Sequence, residues 1–288
     1  MQHERVADNV YVFQSELYAQ VTAGVVAGSD MAVVIDTLAL PEETRALREF
    51  VLRELRLPVR FVINTHYHAD HSWGNAFFPE AMVVSHALTH KQLKKKGIPA
   101  LEQEKKTNSS LRNLEIVLPH ITFEQGELTL QVGKKTLTLF PLPGHSADNI
   151  GVLIEEDRVL FAGDTYMPMP VLVDGDFDEM NASLKKITKL GLENLVPGHG
   201  DIVLRGEIDD AIKSNLDYLS EIRKAVRHAG RRKYPLDLLE DVDVEECGKG
   251  RVLISGMAEQ LHERNLIALY RQFYNKEPQG SEVYYEER

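Results

Sequence analysis

Four side chains that can bind a metal ion lie within one short segment, from His66 to His71. His66 and His68 alternate as they would on an extended segment, so both imidazoles can face one point. Asp70 and His71 follow directly and can turn towards a neighbouring point. Because a zinc-sized ion takes about four ligands, this segment nearly fills one metal site, and with ligands from elsewhere it could fill two.

Three further candidate ligands lie later in the chain, each after a short apolar run. They are His145 in Pro-Gly-His-Ser, Asp164 in Gly-Asp-Thr and His199 in Pro-Gly-His-Gly. Like the first segment, each follows a predicted strand, and loops past the carboxyl ends of strands carry the chemistry of layered α/β folds. The neighbouring glycines let the backbone turn sharply and approach a ligand closely.

Length and composition restrict the class of protein. The chain has 288 residues, of which 43% are hydrophobic and 27% charged, as in an ordinary soluble globular protein. A formal net charge of −11 argues against nucleic acid as the main partner, because such binders usually carry a basic face. No run approaches the ~18 apolar residues of a membrane span, so we expect no membrane partner.

Cysteine usage and the start of the sequence bear on the compartment. Cys247 is the only cysteine, so no intrachain disulfide can form and any metal must be bound by His and Asp. The stretch from Met1 to Arg5 is polar, and no apolar signal core follows it. We therefore expect a reducing, cytoplasmic location.

Hydrophobic periodicity predicts strands that alternate with amphipathic helices. The predicted strands are 11–17, 21–27, 31–35, 61–64, two or three within 122–142, and a hairpin of 150–154 with 159–162. The predicted helices are 41–57, two surface helices within 88–114 with a break at Gly97 and Pro99, 178–190, 207–228 and 256–274. A weak internal repeat links Asp36 to His66 and Asp164 to His199, each through a helix and a strand. It indicates two strand-rich halves with helices outside.

Two groups of basic side chains lie outside these motifs. His86 and His90 are four residues apart on a predicted helix. We interpret them as exposed side chains rather than a metal pair. The run 94–96 consists of three lysines, and we interpret it as a solvated helix face rather than a substrate-attracting patch.

The four ligand motifs, in this order and strand context, resemble those of the metallo-β-lactamase superfamily over roughly residues 5–205. Glyoxalase II and lactonases are similar at these positions. True β-lactamases of the family often have cysteine where this chain has Asp164, so antibiotic hydrolysis is not favoured. The resemblance implies an α/β, four-layer αβ/βα sandwich with a binuclear metal site at one edge. We place the catalytic domain at 1–205 and a helical C-terminal part, packed on it or extending it, at 206–288.

The resemblance also implies a role for each site residue. The ligands of the first ion are three histidines: His66, His68 and His145. The ligands of the second ion are Asp70, His71 and His199. Asp164 bridges the two ions. Asp36 matches an aspartate that ends an early strand near the site, which suggests that it supports a ligand.

These residues predict a binuclear metal-dependent hydrolase that cleaves an ester, thioester or lactone of a small molecule through a metal-bridging hydroxide. Imidazole and carboxylate ligands suit zinc, which we favour, and also iron or manganese. Asp70 is the candidate to orient the hydroxide and to pass its proton to the leaving group. Tyr166 and Met167, just after Asp164, either wall a substrate pocket or pack the loop.

Three other functions stay open. The first is a mononuclear iron enzyme like the persulfide dioxygenases, and the second is a phosphodiesterase or nuclease of the same fold. The third is a binding or sensor protein that keeps the site without turnover. The full ligand set with His71 and His199 favours two metals and hydrolysis. The sequence leaves the oligomeric state open, with a homodimer among the options.

Overall fold

Alternating apolar side chains build a first sheet whose seven strands lie side by side in chain order in the computed structural model, which describes residues 1–280. The strands are β1 (Gln2–Ala7), β2 (Val10–Gln14), β3 (Thr22–Ala27), β4 (Ala32–Ile35), β5 (Val59–Ile63), β6 (Met82–His86) and β7 (Ile121–Phe123). The first four strands are antiparallel, and β4 to β7 are parallel.

A second sheet of six strands packs against the first. Its strands are β8 (Leu128–Val132), β9 (Lys135–Pro141), β10 (Ile150–Ile154), β11 (Val159–Phe161), β12 (Asn194–Val196) and β13 (Val203–Leu204). They also follow chain order, and all neighbours are antiparallel except the parallel pair β11 and β12. The predicted hairpin of 150–154 with 159–162 is confirmed as the antiparallel pair β10 and β11.

The alternation of side chains along the strands creates two apolar faces on each sheet. On β4, Val33 and Ile35 pack between the two sheets, whereas Val34 packs on the outer face. Between the sheets, Gly24 lies directly against the ring of Phe161, and a Cβ at Gly24 would overlap that ring. The sheets are therefore held at a spacing that only glycine permits at this point.

Helices cover both outer faces and complete four layers. Those that follow strands of the first sheet are α1 (Pro41–Glu49), α2 (Ala69–Ser72), α3 (Ala87–Gln92) and α4 (Ile98–Glu104). Those that follow strands of the second sheet are α5 (Phe177–Ile187), α6 (Ile208–Ala229), α7 (Pro235–Glu240), α8 (Leu253–Gly256) and α9 (Ala258–Tyr274). Leu47 of α1 packs on the first sheet, while Met180 of α5, Ile212 of α6 and Leu266 of α9 share one apolar cluster with the second sheet.

The C-terminal helices therefore share a core with the preceding part of the chain. The boundary at residue 205 stays a prediction, and residues 281–288 of the C-terminal part lie outside the described residues. The internal repeat is present as two parallel units, β4–α1–β5 and β11–α5–β12. Among residues 1–280, none of the helices combines the length and apolar character needed to cross a membrane.

Some elements differ from the sequence-based expectation. Strand β1 is polar and exposed, and its backbone pairs with β2 at the sheet edge, which hydrophobic patterning does not detect. Strand β6 was also missed. It ends at His86, which is buried rather than exposed and whose Nε2 lies 3.0 Å from the carbonyl of Glu124. Pro99 does not break the helical segment but lies in the first turn of α4.

Candidate metal centre

The seven predicted ligands follow strands at one edge of the sandwich, in loops or, for Asp70 and His71, in the short helix α2. The first four come after β5, His145 after β9, Asp164 after β11 and His199 after β12. The loops touch one another. The amide of Thr22 at the start of β3 donates to the carbonyl of Gly198 at 2.8 Å. Only glycine fits at position 198, because its backbone lies against Asp164 and a Cβ there would overlap Oδ1 of that residue.

Three histidines form the first group of converging atoms. Nδ1 of His68 lies 3.0 Å from Nε2 of His66 and 2.9 Å from Nε2 of His145. Oδ2 of Asp164 lies 3.3 Å from Nε2 of His145 and 3.7 Å from Nε2 of His66. The four ligand atoms all lie within 4.8 Å of one another, as ligands of a single ion must.

The second group consists of Asp70, His71 and His199. Oδ2 of Asp70 lies 3.3 Å from Nε2 of His199 and 3.8 Å from Nε2 of His71. Asp164 reaches this group too, with Oδ1 3.2 Å from Nε2 of His71 and Oδ2 3.5 Å from Nε2 of His199. The carboxylate of Asp164 therefore lies between the two groups.

The outer ring nitrogens of three histidines show which nitrogen is free to bind. Nδ1 of His145 contacts the carbonyl of Val171 at 3.0 Å, and Nδ1 of His199 contacts that of Ala19 at 2.8 Å. Nδ1 of His71 contacts Asp36 at 2.9 Å. Because carbonyls and carboxylates only accept hydrogen bonds, each Nδ1 carries a proton, and Nε2 is the ring nitrogen that faces the centre.

The other two histidines are oriented in the same way. Thr65 Oγ1 donates to Asp36 at 2.7 Å and is therefore free to accept from Nδ1 of His66 at 3.1 Å. Nε2 of His68 contacts Asp174 at 3.2 Å, which leaves Nδ1 of His68 facing inwards. All five histidines thus direct one ring nitrogen into the same small region.

This donor set fits a pair of divalent cations. Nε2 of His71 and Oδ1 of Asp164 are buried without a hydrogen-bond partner among residues 1–280, an arrangement that costs free energy unless a ligand compensates it. Lone pairs that face one another at about 3 Å repel, and a cation between them removes the repulsion. Imidazole nitrogens with carboxylate oxygens are typical ligands of zinc, iron and manganese.

The ionisable side chains of the two groups, which together form a cage, also shift one another's pKa values. Burial lowers the pKa of His66, and it lowers that of His145 to about 4. Burial opposes protonation of His199 as well, but the nearby carboxylate of Asp164 raises its pKa to about 10. The same carboxylate, with Asp70, raises the pKa of His71 well above its ordinary value. Metal binding must therefore displace protons from the second group.

Asp36 supports the centre from behind. It ends β4 with a left-handed backbone (φ 58°) and is buried. Its carboxylate accepts from the amide of Thr65 at 2.7 Å, from the hydroxyl of Thr65 and from His71. One side chain thus fixes the start of the first ligand segment and the ring of His71.

Tyr166 and Met167 are buried in the apolar cluster beneath the site, at 4% and 3% exposure. Their contact with substrate stays a prediction. The structure brings three unpredicted side chains to the cage instead: Asp174 contacts His68, and both Tyr67 and Lys96 bond to Asp174, with Lys96 at 3.1 Å. Lys96 is the last residue of the lysine run, and no motif marks Asp174, so sequence reasoning had no signal for this contact.

Tyr18 was also missed, although it borders the site. It lies in the turn between β2 and β3, three residues before Val21, which forms a backbone bridge with His199. The carboxylate of Asp70 together with burial raises the pKa of Tyr18 to about 12. Tyr18 keeps 44% of its surface exposed. The side chain of Tyr18 is therefore partly exposed and near enough to Asp70 to be influenced by its charge.

Comparisons with known proteins agree with this geometry. The model of the metallo-beta-lactamase superfamily matches residues 18–199. A beta-lactamase-like protein 2 homolog of Caenorhabditis elegans is 26% identical over 179 residues, covering 62% of this chain and 55% of the relative. A lactamase-like protein nscB of Aspergillus fumigatus is 27% identical over 201 residues, covering 70% and 52%. The chain spans about half the length of these curated relatives.

Solved structures share the fold. A metallo-beta-lactamase from Pontibacter korlensis superposes with a TM-score of 0.60 at 20% identity, covering 74% of this chain and 97% of its own. The stereoselective inverting sec-alkylsulfatase Pisa1 from Pseudomonas sp. superposes with a TM-score of 0.74 at 14% identity, covering 94% of this chain and 50% of its own. At such identities the likeness shows the four-layer fold alone. The family match spans most of the chain and includes all seven converging side chains, and the chain belongs to the metallo-beta-lactamase superfamily.

Proposed function

We propose that the protein is a hydrolase that uses two divalent cations, zinc in the first place, to cleave an ester, thioester or lactone bond of a small molecule. The observation that carries the proposal is the pair of ligand groups that share Asp164. A single-ion enzyme such as a persulfide dioxygenase would not need the complete second group of Asp70, His71 and His199.

Divalent cations bound to these residues would lower the pKa of a bound water to about 7 and would polarise a carbonyl oxygen. Orientation of the water and transfer of its proton are left to the side chains of the protein. Burial alone would raise the pKa of Asp70, but His71 and His199 hold it well below its ordinary value. Asp70 is therefore ionised, and we assign it to orient the attacking water and to pass a proton to the leaving group.

We propose that Tyr18, which is partly exposed beside the site, contacts the substrate. The hydroxyl of Tyr18, like that of any tyrosine, is protonated at neutral pH and can donate a hydrogen bond to a carbonyl oxygen. Lys96 already pairs with Asp174, so it offers little free charge to an anion. We propose a small molecule rather than nucleic acid as substrate, in keeping with the net charge of −11.

A second candidate is hydrolysis of a sulfate ester. The likeness to the solved sec-alkylsulfatase covers 94% of this chain and so extends into the C-terminal helices. The same cage would serve, because an alkyl sulfate also needs an oriented water and a stabilised leaving oxygen. Phosphate diesters, the remaining hydrolytic alternative, have no such specific support.

A substrate screen on metal-quantified protein tests the proposal. The panel contains a p-nitrophenyl ester, an acyl thioester, a lactone, a secondary alkyl sulfate and bis-p-nitrophenyl phosphate, with oxygen consumption recorded on a persulfide. We expect turnover of a carbonyl ester class that Asp70→Asn lowers by at least about 100-fold. Asp30→Asn, in an exposed loop, is the matched control and retains turnover. Full activity of Asp70→Asn, or turnover of the persulfide alone, would refute it.

A further inference from the structure

We infer that Asn265, on the C-terminal helix α9, is a positioning residue for the metal centre, because it fixes the loop whose backbone orients His145. Nδ2 of Asn265 donates to the carbonyl of Pro170 at 2.7 Å, and Oδ1 of Asn265 accepts from the amide of Leu172 at 2.7 Å. Between them lies Val171, whose carbonyl accepts the proton of Nδ1 of His145. This role depends on the metal site proposed above.

The hydrogen bonds between Asn265 and the loop lie in the interior of the protein. Asn265 is fully buried, and Val171, Leu172 and His145 are buried as well. In such surroundings a broken hydrogen bond leaves a polar group without a partner, so the two bonds of Asn265 strongly favour one conformation of the loop. The carbonyl of Val171 is thereby held at one place, and it holds one tautomer and one orientation of the imidazole.

Asn265 is itself held in place by a hydrogen-bond chain between two helices. Its Nδ2 also donates to the hydroxyl of Tyr218 on α6 at 3.0 Å. The hydroxyl of Tyr218 lies 3.0 Å from Nδ1 of His262, whose Nε2 donates to the carbonyl of Val242 at 3.1 Å. His262 therefore accepts from Tyr218, and every member of the chain has one defined direction.

Two other side chains bind the same loop further from His145. Nδ2 of Asn215 donates to the carbonyl of Met167 at 2.8 Å, and Nζ of Lys249 donates to that of Pro168 at 2.8 Å. Only Asn265 among the three binds both neighbours of Val171. Asn265 therefore holds the residue whose carbonyl accepts from His145 from both sides, whereas Asn215 and Lys249 bind the loop three or more residues away.

The variants Asn265→Ala and Tyr218→Phe test this role in the full chain. Metal-free protein labelled with ¹⁵N-histidine reports the tautomer of His145 by long-range ¹H–¹⁵N correlation spectra, and chelator competition reports zinc affinity. We expect Asn265→Ala to mix the tautomers of His145 and to weaken zinc binding at the first ligand group by about 10-fold, the lower end for groups that orient ligands. Tyr218→Phe keeps the ring but removes the hydroxyl. It should change the tautomers of His145 and the zinc affinity in the same direction as Asn265→Ala, but to a smaller extent.

Leu269→Ala is the control, because Leu269 is equally buried on α9, one turn from Asn265, and makes only apolar contacts. It should lower the melting temperature while the tautomer and zinc affinity stay as in the natural protein. The inference is overturned if Asn265→Ala and Tyr218→Phe keep the natural tautomer, or if Leu269→Ala mixes the tautomers equally. The tautomer is read without metal or substrate, so failure of the proposed hydrolysis is a separate result.

Discussion

At the scale of single residues, the candidate metal centre contains side chains that orient the candidate ligands as well as those ligands themselves. Each of the five histidines uses one nitrogen to hold its position and leaves the other free. Asp36 is the clearest case, because its buried carboxylate binds both His71 and the hydroxyl of Thr65, which in turn accepts from His66. Asp36 therefore links ligands of both groups without facing the cage.

Replacement of Asp36 by asparagine tests that link. The substituted side chain would keep the shape of the aspartate, but its amide nitrogen cannot accept the proton of His71 or Thr65. We expect Asp36→Asn to weaken zinc binding by roughly 10–100-fold, the usual cost of losing a group that orients a metal ligand. Isothermal titration with zinc measures this, with Asp30→Asn as the surface control. Natural affinity in Asp36→Asn would show that Asp36 does not position the ligands.

Single residues were predicted to different degrees. All seven candidate ligands and Asp36 follow strands with distinctive neighbours, so the sequence contains enough local information to find them. Asp174 could not be found in this way. It reaches His68 from a loop 106 residues away, and such a contact depends on the relative placement of two loops that local patterns do not encode.

At the scale of elements, the loop after β11 is the junction between the cage and the C-terminal helices. Lys249 contributes to it from the segment between α7 and α8. This lysine is 5% exposed, and its ammonium bonds to three neutral acceptors: Pro168 O, Ser214 Oγ and Asn215 Oδ1. Burial lowers the pKa of Lys249 to about 8, and the carboxylate of Asp217 offsets only part of this effect.

This lowered pKa predicts a pH dependence of stability. The pKa of lysine in the unfolded chain is about 10.4, so between about pH 8 and 10.4 the unfolded chain binds a proton that the folded chain does not. The contribution of Lys249 to the free energy of unfolding therefore rises with pH over this window, by about 2 kcal/mol.

Urea unfolding of the natural protein and of Lys249→Met at pH 7.5 and pH 10 measures this term, both without metal. We expect the difference in free energy of unfolding between the two proteins to shift in favour of the natural protein at the higher pH. Lys94→Met, at an exposed position of the lysine run, should show no such shift. Parallel pH curves for Lys249→Met and the natural protein would contradict the burial of its charge.

Elements with strong apolar periodicity were predicted well, and elements without it were not. Helices α1, α5, α6 and α9 were found because each presents an apolar face to a sheet or to another helix. Strand β1 was missed because it is held by backbone pairing at a sheet edge, and its side chains remain polar. Strand β6 was missed because its five residues precede a helix without a turn signal.

At the scale of the whole molecule, two sheets bring loops from distant parts of the chain to one edge. Their spacing is set by side chains between them, and Gly24 against Phe161 is the tightest such point described above. Phe161 ends β11, three residues before Asp164. A change in the spacing of the sheets should therefore displace Asp164, which lies between the two ligand groups.

The substitution Gly24→Ala tests this connection. The added methyl group would overlap the ring of Phe161, and overpacking of this kind costs about 1–3 kcal/mol. Urea unfolding of the metal-free protein should show that loss. Gly206→Ala is the control, because no atom lies within 4 Å of a Cβ at Gly206 and its stability should be unchanged. Equal stability of the two variants would mean that the sheets separate without cost.

The overall arrangement was predictable from the strand and helix pattern together with the resemblance of the motifs. The placement of the C-terminal helices was not. Asn265 meets Pro170 across 95 residues of sequence, and nothing near either residue indicates that they touch. Long-range polar contacts of this type follow from the completed core and therefore had to come from the structure.

The presence of two cations is tested most directly by metal analysis combined with anomalous diffraction at the zinc edge on reconstituted protein. We predict two ions per chain, one among His66, His68 and His145, the other among Asp70, His71 and His199, both in contact with Asp164. One ion only, or none after incubation with zinc, manganese or ferrous salts, would contradict the assignment of these side chains as a binuclear cage.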